Sequence, residues 1–221
     1  MPGGSSCIAL FVKPPVPGRV KTRLARAIGN DAACTLYSAL VDRVLATITA
    51  SGMPLVIFHD GDDAGHLPVA WQEVANSCIP QQGIDLGQRM AHAFSRLFSD
   101  GIEQAVLIGS DIPGLDAAYL HNAFRLLAGH DLVIGPAIDG GYCLIGFHSA
   151  TFTPALFQQI PWSTGQVLAL TLAAAETIGL SIGTLPPLRD LDTVDDLHAL
   201  VAGGLMPEKL IKATEMFLLP A

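Results

Sequence analysis

CIALFVKPPVPGRVKTRLARAI (residues 7–28) lays out a strand, a loop and the start of a helix in one stretch. The apolar run 7–12 reads as a buried strand. Pro14, Pro15, Pro17 and Gly18 then stiffen the chain into a loop, and a helical pattern begins near Thr22. The same stretch is the most basic in the chain. Lys13, Arg19, Lys21, Arg23 and Arg26 are five of the 12 Lys and Arg residues, and no carboxylate stands among them. A stiff cationic loop between a strand and a helix suits phosphate, because backbone N–H groups, the helix N-terminus and the side-chain charges converge there.

Outward from this unit, strand-like runs recur at 54–59, 105–109, 132–137, 142–147 and 181–185, with the first at 8–13. Helical periodicity covers 22–28, 31–50, 86–98, 117–127, 165–178 and 194–200. This alternation predicts an α/β fold, a three-layer αβα sandwich around a mainly parallel central sheet. The runs on either side of Gly140 and Gly141 are too close for a helical crossover, so the sheet is mixed. With 221 residues, half of them apolar (50%), the chain can build a sizeable core and reads as one domain over 1–221.

Composition also excludes some functions. A net charge of −8 argues against a nucleic-acid or membrane-surface binder, which would carry a broad basic face, so the basic loop points to a small anionic ligand. The run 7–12 is short, lacks a preceding positive region and meets Lys13 and two prolines at once, unlike an export signal. Glu176, threonines and glycines interrupt the apolar stretch 167–185, which reads as a core helix and strand with no membrane insertion. Cys7, Cys34, Cys78 and Cys143 show neither CxxC nor zinc-ligand spacing and read as free thiols of a cytoplasmic protein. The tail 207–219 has an amphipathic pattern that could cap the domain or make a homodimer contact.

In open α/β sheets ligands sit beyond the carboxyl ends of the strands, and candidate residues gather there. AVLIGS is followed directly by Asp111, a candidate Mg²⁺ or Mn²⁺ ligand beside the phosphate loop. GPAIDGGY carries Asp139 before Gly140 and Gly141, which let a ligand approach the backbone. LRDLDTVDDL offers Asp190, Asp192, Asp195 and Asp196. Each has a competing structural reading: Asp111 and Asp192 as helix caps, Asp139 as a DGG turn residue, and Arg89 as the i,i+4 partner of Asp85. GRVKT lacks the glycine spacing of a P-loop, and no GxSxG elbow surrounds Ser163.

FVKPPVPGRVKTRLA, QQGIDLGQRM, IGSDIPGL, GPAIDGGYCLIG and LRDLDTVDDL, in this order, resemble a bacterial family of transferases with the glycosyltransferase A fold. That family is related to nucleotide-diphospho-sugar transferases and to molybdopterin cofactor and phospholactate guanylyltransferases. The resemblance implies a nucleotide-binding αβα sandwich that uses a divalent metal. By position it assigns Lys13, Gly18, Arg19, Lys21 and Arg23 to donor phosphates, and Asp111, with Asp139 and Asp192, to the metal. Gln82, Asp85, Gly87 and Arg89 match a block on the nucleotide or acceptor side. Gly140, Gly141 and Tyr142 match an acceptor-side motif, with Ser163 on a loop lining the acceptor pocket. Lys21, Asp111 and Asp139 are the implied catalytic residues. Where many glycosyltransferases show DxD, this chain reads SDIP, which weakens glycosyl transfer but not metal binding.

The expected partners are a nucleotide or nucleotide-sugar donor and a small-molecule acceptor, with Mg²⁺ or Mn²⁺ as cofactor. Three activities are open: glycosyl transfer, nucleotidyl transfer with pyrophosphate released, or a nucleotide-sensing domain without turnover.

Overall fold

The first strand, β1 (Ser6–Val12), is buried on both faces, which explains its unbroken apolar sequence. Ile8, Leu10 and Val12 enter one hydrophobic cluster, while Cys7 and Ala9 enter another on the opposite face. The computed structural model describes residues 5–61 and 66–206. After β1 come α1 (Thr22–Ile28), α2 (Asn30–Ser51), β2 (Leu55–His59), α3 (Val69–Val74), β3 (Ser77–Pro80) and α4 (Leu86–Ser99). They are followed by β4 (Gln104–Ile108), α5 (Ala117–Leu127), β5 (Leu132–Pro136) and β6 (Tyr142–His148). A 3-10 turn (Pro154–Phe157), α6 (Val167–Thr177), β7 (Ile182–Thr184) and α7 (Val194–Ala202) complete the described chain.

The strands form one mixed sheet in the order β3-β2-β1-β4-β6-β5-β7. All neighbours are parallel except β6, which runs antiparallel to both β4 and β5. The β5–β6 hairpin slips register between Gly135 and Pro136, which turns the Asp139 loop out at the end of the sheet. From β1 the chain winds outward to β2 and β3, then returns to β4 on the other side of β1. A topological switch point therefore lies between β1 and β4, where such sheets open a crevice for ligand.

Helices α2, α3 and α5 cover one face of the sheet, and α4, the 3-10 turn and α6 cover the other. The second face is rich in aromatics: Phe94 packs edge-on against Phe147 and stacks over Phe157. A third cluster joins α1, the N-terminal half of α2 and α7 through Leu24, Leu36, Leu191 and Leu197. Burying each such leucine is worth about 1.5–3 kcal/mol, enough to fix where the two loops that lead into α1 and α7 meet.

The αβα sandwich and the mixed sheet agree with the sequence reading. Three elements lie outside the sequence reading: α3, a short helix of about a turn and a half; β3, a four-residue edge strand ending in Pro80; and the 3-10 turn. Helix α2 is long and apolar enough to cross a membrane, yet nine of its residues, from Ala33 to Ile48, are buried against the sheet and neighbouring helices. All four cysteines are free. The amphipathic tail at 207–219 lies outside the described residues.

Candidate active site

Lys21 stands at the N-cap of α1, where Ser, Thr, Asp or Asn usually accepts a hydrogen bond from the first turn. It makes no such bond and adopts a left-handed backbone conformation at φ 47° that costs a non-glycine residue energy. The strained turn points its side chain inward, where only 6% of it is exposed. Its ammonium donates to Asp111 Oδ2 at 2.5 Å and to Asp192 Oδ1 at 2.7 Å. Burial alone would lower the lysine pKa; the two carboxylates outweigh it and hold the ammonium protonated well above the ordinary lysine range.

Asp111 follows β4 and does not cap α5; that role belongs to Asp116, whose carboxylate accepts from Tyr119 N–H. Nor does Asp192 cap α7. Thr193 and Asp196 form a capping box there, leaving the Asp192 carboxylate for Lys21 and, at 3.8 Å, for Arg23. The Leu191 N–H donates to the Asp111 carbonyl at 3.0 Å, so the loops after β4 and before α7 are bonded side by side. Both structural alternatives for these aspartates are thus taken by neighbours, and the two carboxylates face the crevice, paired with Lys21.

Two cavities meet at this trio. The larger, about 570 Å³, opens at the β1/β4 switch point and is lined by Lys13, Arg19, Lys21, Arg23 and Arg89. The smaller, about 370 Å³, is lined by Asp139, Asp190, Trp162 and Thr164. Asp111, Asp192, Arg23 and Ser163 belong to both walls. One cavity is therefore cation-rich, the other carboxylate-rich. Asp190 records the crowding: burial first, then the charges of Asp111, Asp139 and Asp192, push its carboxyl up to about 6.

The remaining candidates are placed unevenly. Gly18, at φ 79°, turns the basic loop. Asp85 caps α4, accepting from Gln88 N–H at 2.8 Å, while its side chain also lines the larger cavity. Arg89 does not pair with Asp85. It reaches back to Asp60 at 2.9 Å and to the side-chain oxygen of Gln81 at 3.2 Å, because the cap turns the Asp85 carboxylate toward its own helix. Asp139 closes its turn by accepting from Gly141 N–H at 2.9 Å, and Gly140, at φ 90°, lies so close to the Gly165 carbonyl that a Cβ would collide. Tyr142 lines the smaller cavity, but its hydroxyl turns away toward Met90, and burial raises its pKa. Ser163 carries a second left-handed backbone, at φ 64°, in the wall between the cavities.

Several contributors were not picked out from the sequence. Asp190 was noticed only as one of four aspartates. Tyr37, on α2, accepts from Lys13 N–H at 2.8 Å and lies 3.3 Å from the Ser110 hydroxyl, tying the β1 and β4 loops together. Trp162, on the loop that the sequence reading places beside the acceptor pocket, lies over Gly87, where an added Cβ would come within 2.5 Å of the indole.

Among the described residues, no three His, Cys, Asp or Glu side chains are gathered into a metal cage. The donor set nevertheless fits a divalent ion of another kind. Mg²⁺ sites are commonly made by one or two carboxylates and completed by substrate phosphates and water, and Asp111 and Asp192 beside the cationic cavity could supply such carboxylates.

A family profile described as "Uncharacterized protein conserved in bacteria (DUF2064)" matches residues 43–164. The chain belongs to this family. The solved structure of a candidate nucleotide-diphospho-sugar transferase from Desulfovibrio desulfuricans G20 is 36% identical to it, covering 98% of this chain and 97% of that one, with a TM-score of 0.89. Unlike the DUF2064 profile, this alignment takes in nearly the whole chain. Two distant structures share the fold. One is the inositol-1-phosphate CTP transferase from T. maritima (11% identity, 97% of each chain, TM-score 0.56). The other is glucosyl-3-phosphoglycerate synthase from Mycobacterium tuberculosis, solved with Mn²⁺, uridine diphosphate and glucosyl-3-phosphoglycerate (12% identity, 99% of this chain and 82% of that, TM-score 0.53). No curated protein sequence matches the chain.

Proposed function

We propose that this chain is a divalent-metal-dependent transferase that takes a nucleotide-diphospho-sugar as donor and passes the sugar to a hydroxyl of a small-molecule acceptor. The observation that carries this reading is the junction itself: Lys21, Asp111 and Asp192 stand where a cation-lined cavity meets a carboxylate-lined one. Lys13, Arg19, Lys21 and Arg23 bind the donor diphosphate and stabilise the charge that grows on it as the sugar leaves. The acceptor hydroxyl sits in the smaller cavity, and its oxygen attacks the anomeric carbon. The bond from that carbon to the β-phosphate oxygen breaks, and nucleoside diphosphate leaves with the electron pair. Asp139 or Asp190 stands ready to receive the hydroxyl proton. A metal held by Asp111 and Asp192 neutralises the diphosphate when bound.

The Desulfovibrio relative, a candidate nucleotide-diphospho-sugar transferase, supports this donor class. The Mn²⁺ and uridine diphosphate in the mycobacterial synthase are compatible with it at the level of fold. One observation favours a second reading: the loop after β4 carries a lone Asp111 in SDIP, which suits nucleotidyl transfer, with an acceptor phosphate or carboxylate attacking the α-phosphorus of a nucleoside triphosphate.

The deciding experiment incubates the protein and Mn²⁺ with nucleotide sugars or nucleoside triphosphates and a panel of acceptors, and identifies the small product. Nucleoside diphosphate released from a nucleotide sugar is expected. Pyrophosphate from a triphosphate would establish the second reading instead, and metal-dependent donor binding without any turnover would mark a sensor.

A further inference from the structure

The ammonium of Lys21 stands 2.5 Å from one Asp111 oxygen and 2.7 Å from one Asp192 oxygen. The proposed function gives the metal to these two carboxylates. A divalent ion bound by them would lie about 2.0–2.6 Å from each, which is the space that the ammonium fills. Ammonium and metal cannot both hold this pair of oxygens. The ion pair is also well built: the lysine side chain is almost wholly buried, and a left-handed backbone turn aims it at the carboxylates.

We infer that Lys21 is an internal counter-cation that keeps the metal site closed until donor arrives. This rests on the reading of Asp111 and Asp192 as metal ligands. One ammonium against two carboxylates leaves a net negative charge, and Asp139 and Asp190 add to it, so the pocket favours a dication once the lysine moves. Lys21 moves only when another anion replaces both carboxylates. The larger cavity, which Lys21 lines with Lys13, Arg19 and Arg23, is built to hold that anion. A donor diphosphate draws the ammonium onto its own oxygens, frees Asp111 and Asp192, and supplies the remaining ligands to the incoming ion. Donor and metal therefore bind with positive coupling, and each tightens the other by the same factor. Without donor, the lysine holds the carboxylates and the metal binds weakly. Lys21 thus has two duties, to guard the metal site in the resting protein and to bind phosphate in the loaded one.

The test measures Mn²⁺ affinity by electron paramagnetic resonance, with and without a nucleoside diphosphate, in the wild type, Lys21→Met and Lys21→Gly. The glycine variant suits the left-handed turn, and a cooperative thermal melt reports on folding in each. For the wild type, weak Mn²⁺ binding that tightens about tenfold or more with nucleoside diphosphate is expected. For both variants, Mn²⁺ binding without nucleotide should already be about tenfold tighter than in the wild type, and the gain on adding nucleotide should be smaller than the wild type's by about that factor. Equal Mn²⁺ affinity in wild type and variants, unaffected by nucleotide, would overturn the counter-cation role and leave the metal site standing. No Mn²⁺ binding by any of the proteins, even with nucleotide, would overturn both.

Discussion

At the scale of single residues, Lys21 concentrates the chemistry. A charge-assisted hydrogen bond of this kind contributes about 1.5–3 kcal/mol, so Lys21→Ala should weaken nucleoside-diphosphate binding by roughly 10- to 100-fold in calorimetry, measured at saturating Mn²⁺. Unchanged affinity would remove the lysine from the donor site. The sequence showed that Lys21 was unusual, because five cations without an acid stood out in an acidic chain. It could not show that Asp192 meets it, since 171 positions separate the two and the meeting depends on Leu24 and Leu191 entering one hydrophobic cluster. Asp190 stayed hidden for a similar reason: only the folded loop brings it near Asp111 and Asp139. Arg89 shows local reasoning overridden. The i,i+4 spacing suggested a pair with Asp85, but capping uses that carboxylate and the arginine turns to Asp60 instead.

At the scale of elements, most segments are legible in the sequence, down to the seven-residue α1 and the three-residue β7, whereas α3, β3 and the 3-10 turn are not. Strands β1, β2, β4, β5 and β6 are apolar enough to declare themselves, whereas β3 forms only because β2 offers an unpaired edge. The three-residue β7 is held by a clasp at its entrance: Ser181 N–H and hydroxyl both donate to Asp131 Oδ2, at 2.9 and 2.6 Å. These bonds lower the Asp131 pKa below the ordinary carboxylate range, the hydroxyl bond most. A depressed folded-state pKa means that the clasp is present above the unfolded pKa of about 4 and is lost as pH falls through the folded value. Ser181→Ala should thus lower the unfolding midpoint at pH 7, with the difference from wild type shrinking as pH falls below about 4. A difference from wild type that does not change with pH would contradict it.

The first turn of α4 gives a second test at this scale. Replacing glycine by alanine in a helix normally adds about 0.5–1 kcal/mol of stability. At Gly87 the new methyl would meet the Trp162 indole, and overpacking of this kind costs about 1–3 kcal/mol. Gly87→Ala should therefore destabilise the protein in urea and shift tryptophan fluorescence as the loop carrying Trp162 and Ser163 is pushed from the smaller cavity. A stabilised variant with unchanged fluorescence would mean that this loop yields freely.

For the molecule as a whole, the distribution of charge matters more than its total. A protein of net charge −8 keeps a cationic cavity at the switch point of its sheet and places carboxylates next door, so a single cleft has an anion-attracting side and an anion-repelling side. The alternation of strands and helices made the fold class readable, and the basic loop marked one side of the cleft. The other side is assembled from the β5–β6 turn, the loop before α6 and the loop before α7, which no local pattern connects. Because the cavity is open to solvent, nucleotide affinity should fall as salt rises from 50 to 500 mM, while the affinity of a neutral acceptor analogue for the smaller cavity should hardly change. The most direct test is a crystal structure with a nucleoside diphosphate and Mn²⁺. The diphosphate is expected in the cavity of Lys13, Arg19, Lys21 and Arg23, with Mn²⁺ bridging it to Asp111 and Asp192; a diphosphate bound elsewhere, with Lys21 still paired to both carboxylates, would contradict the proposed site.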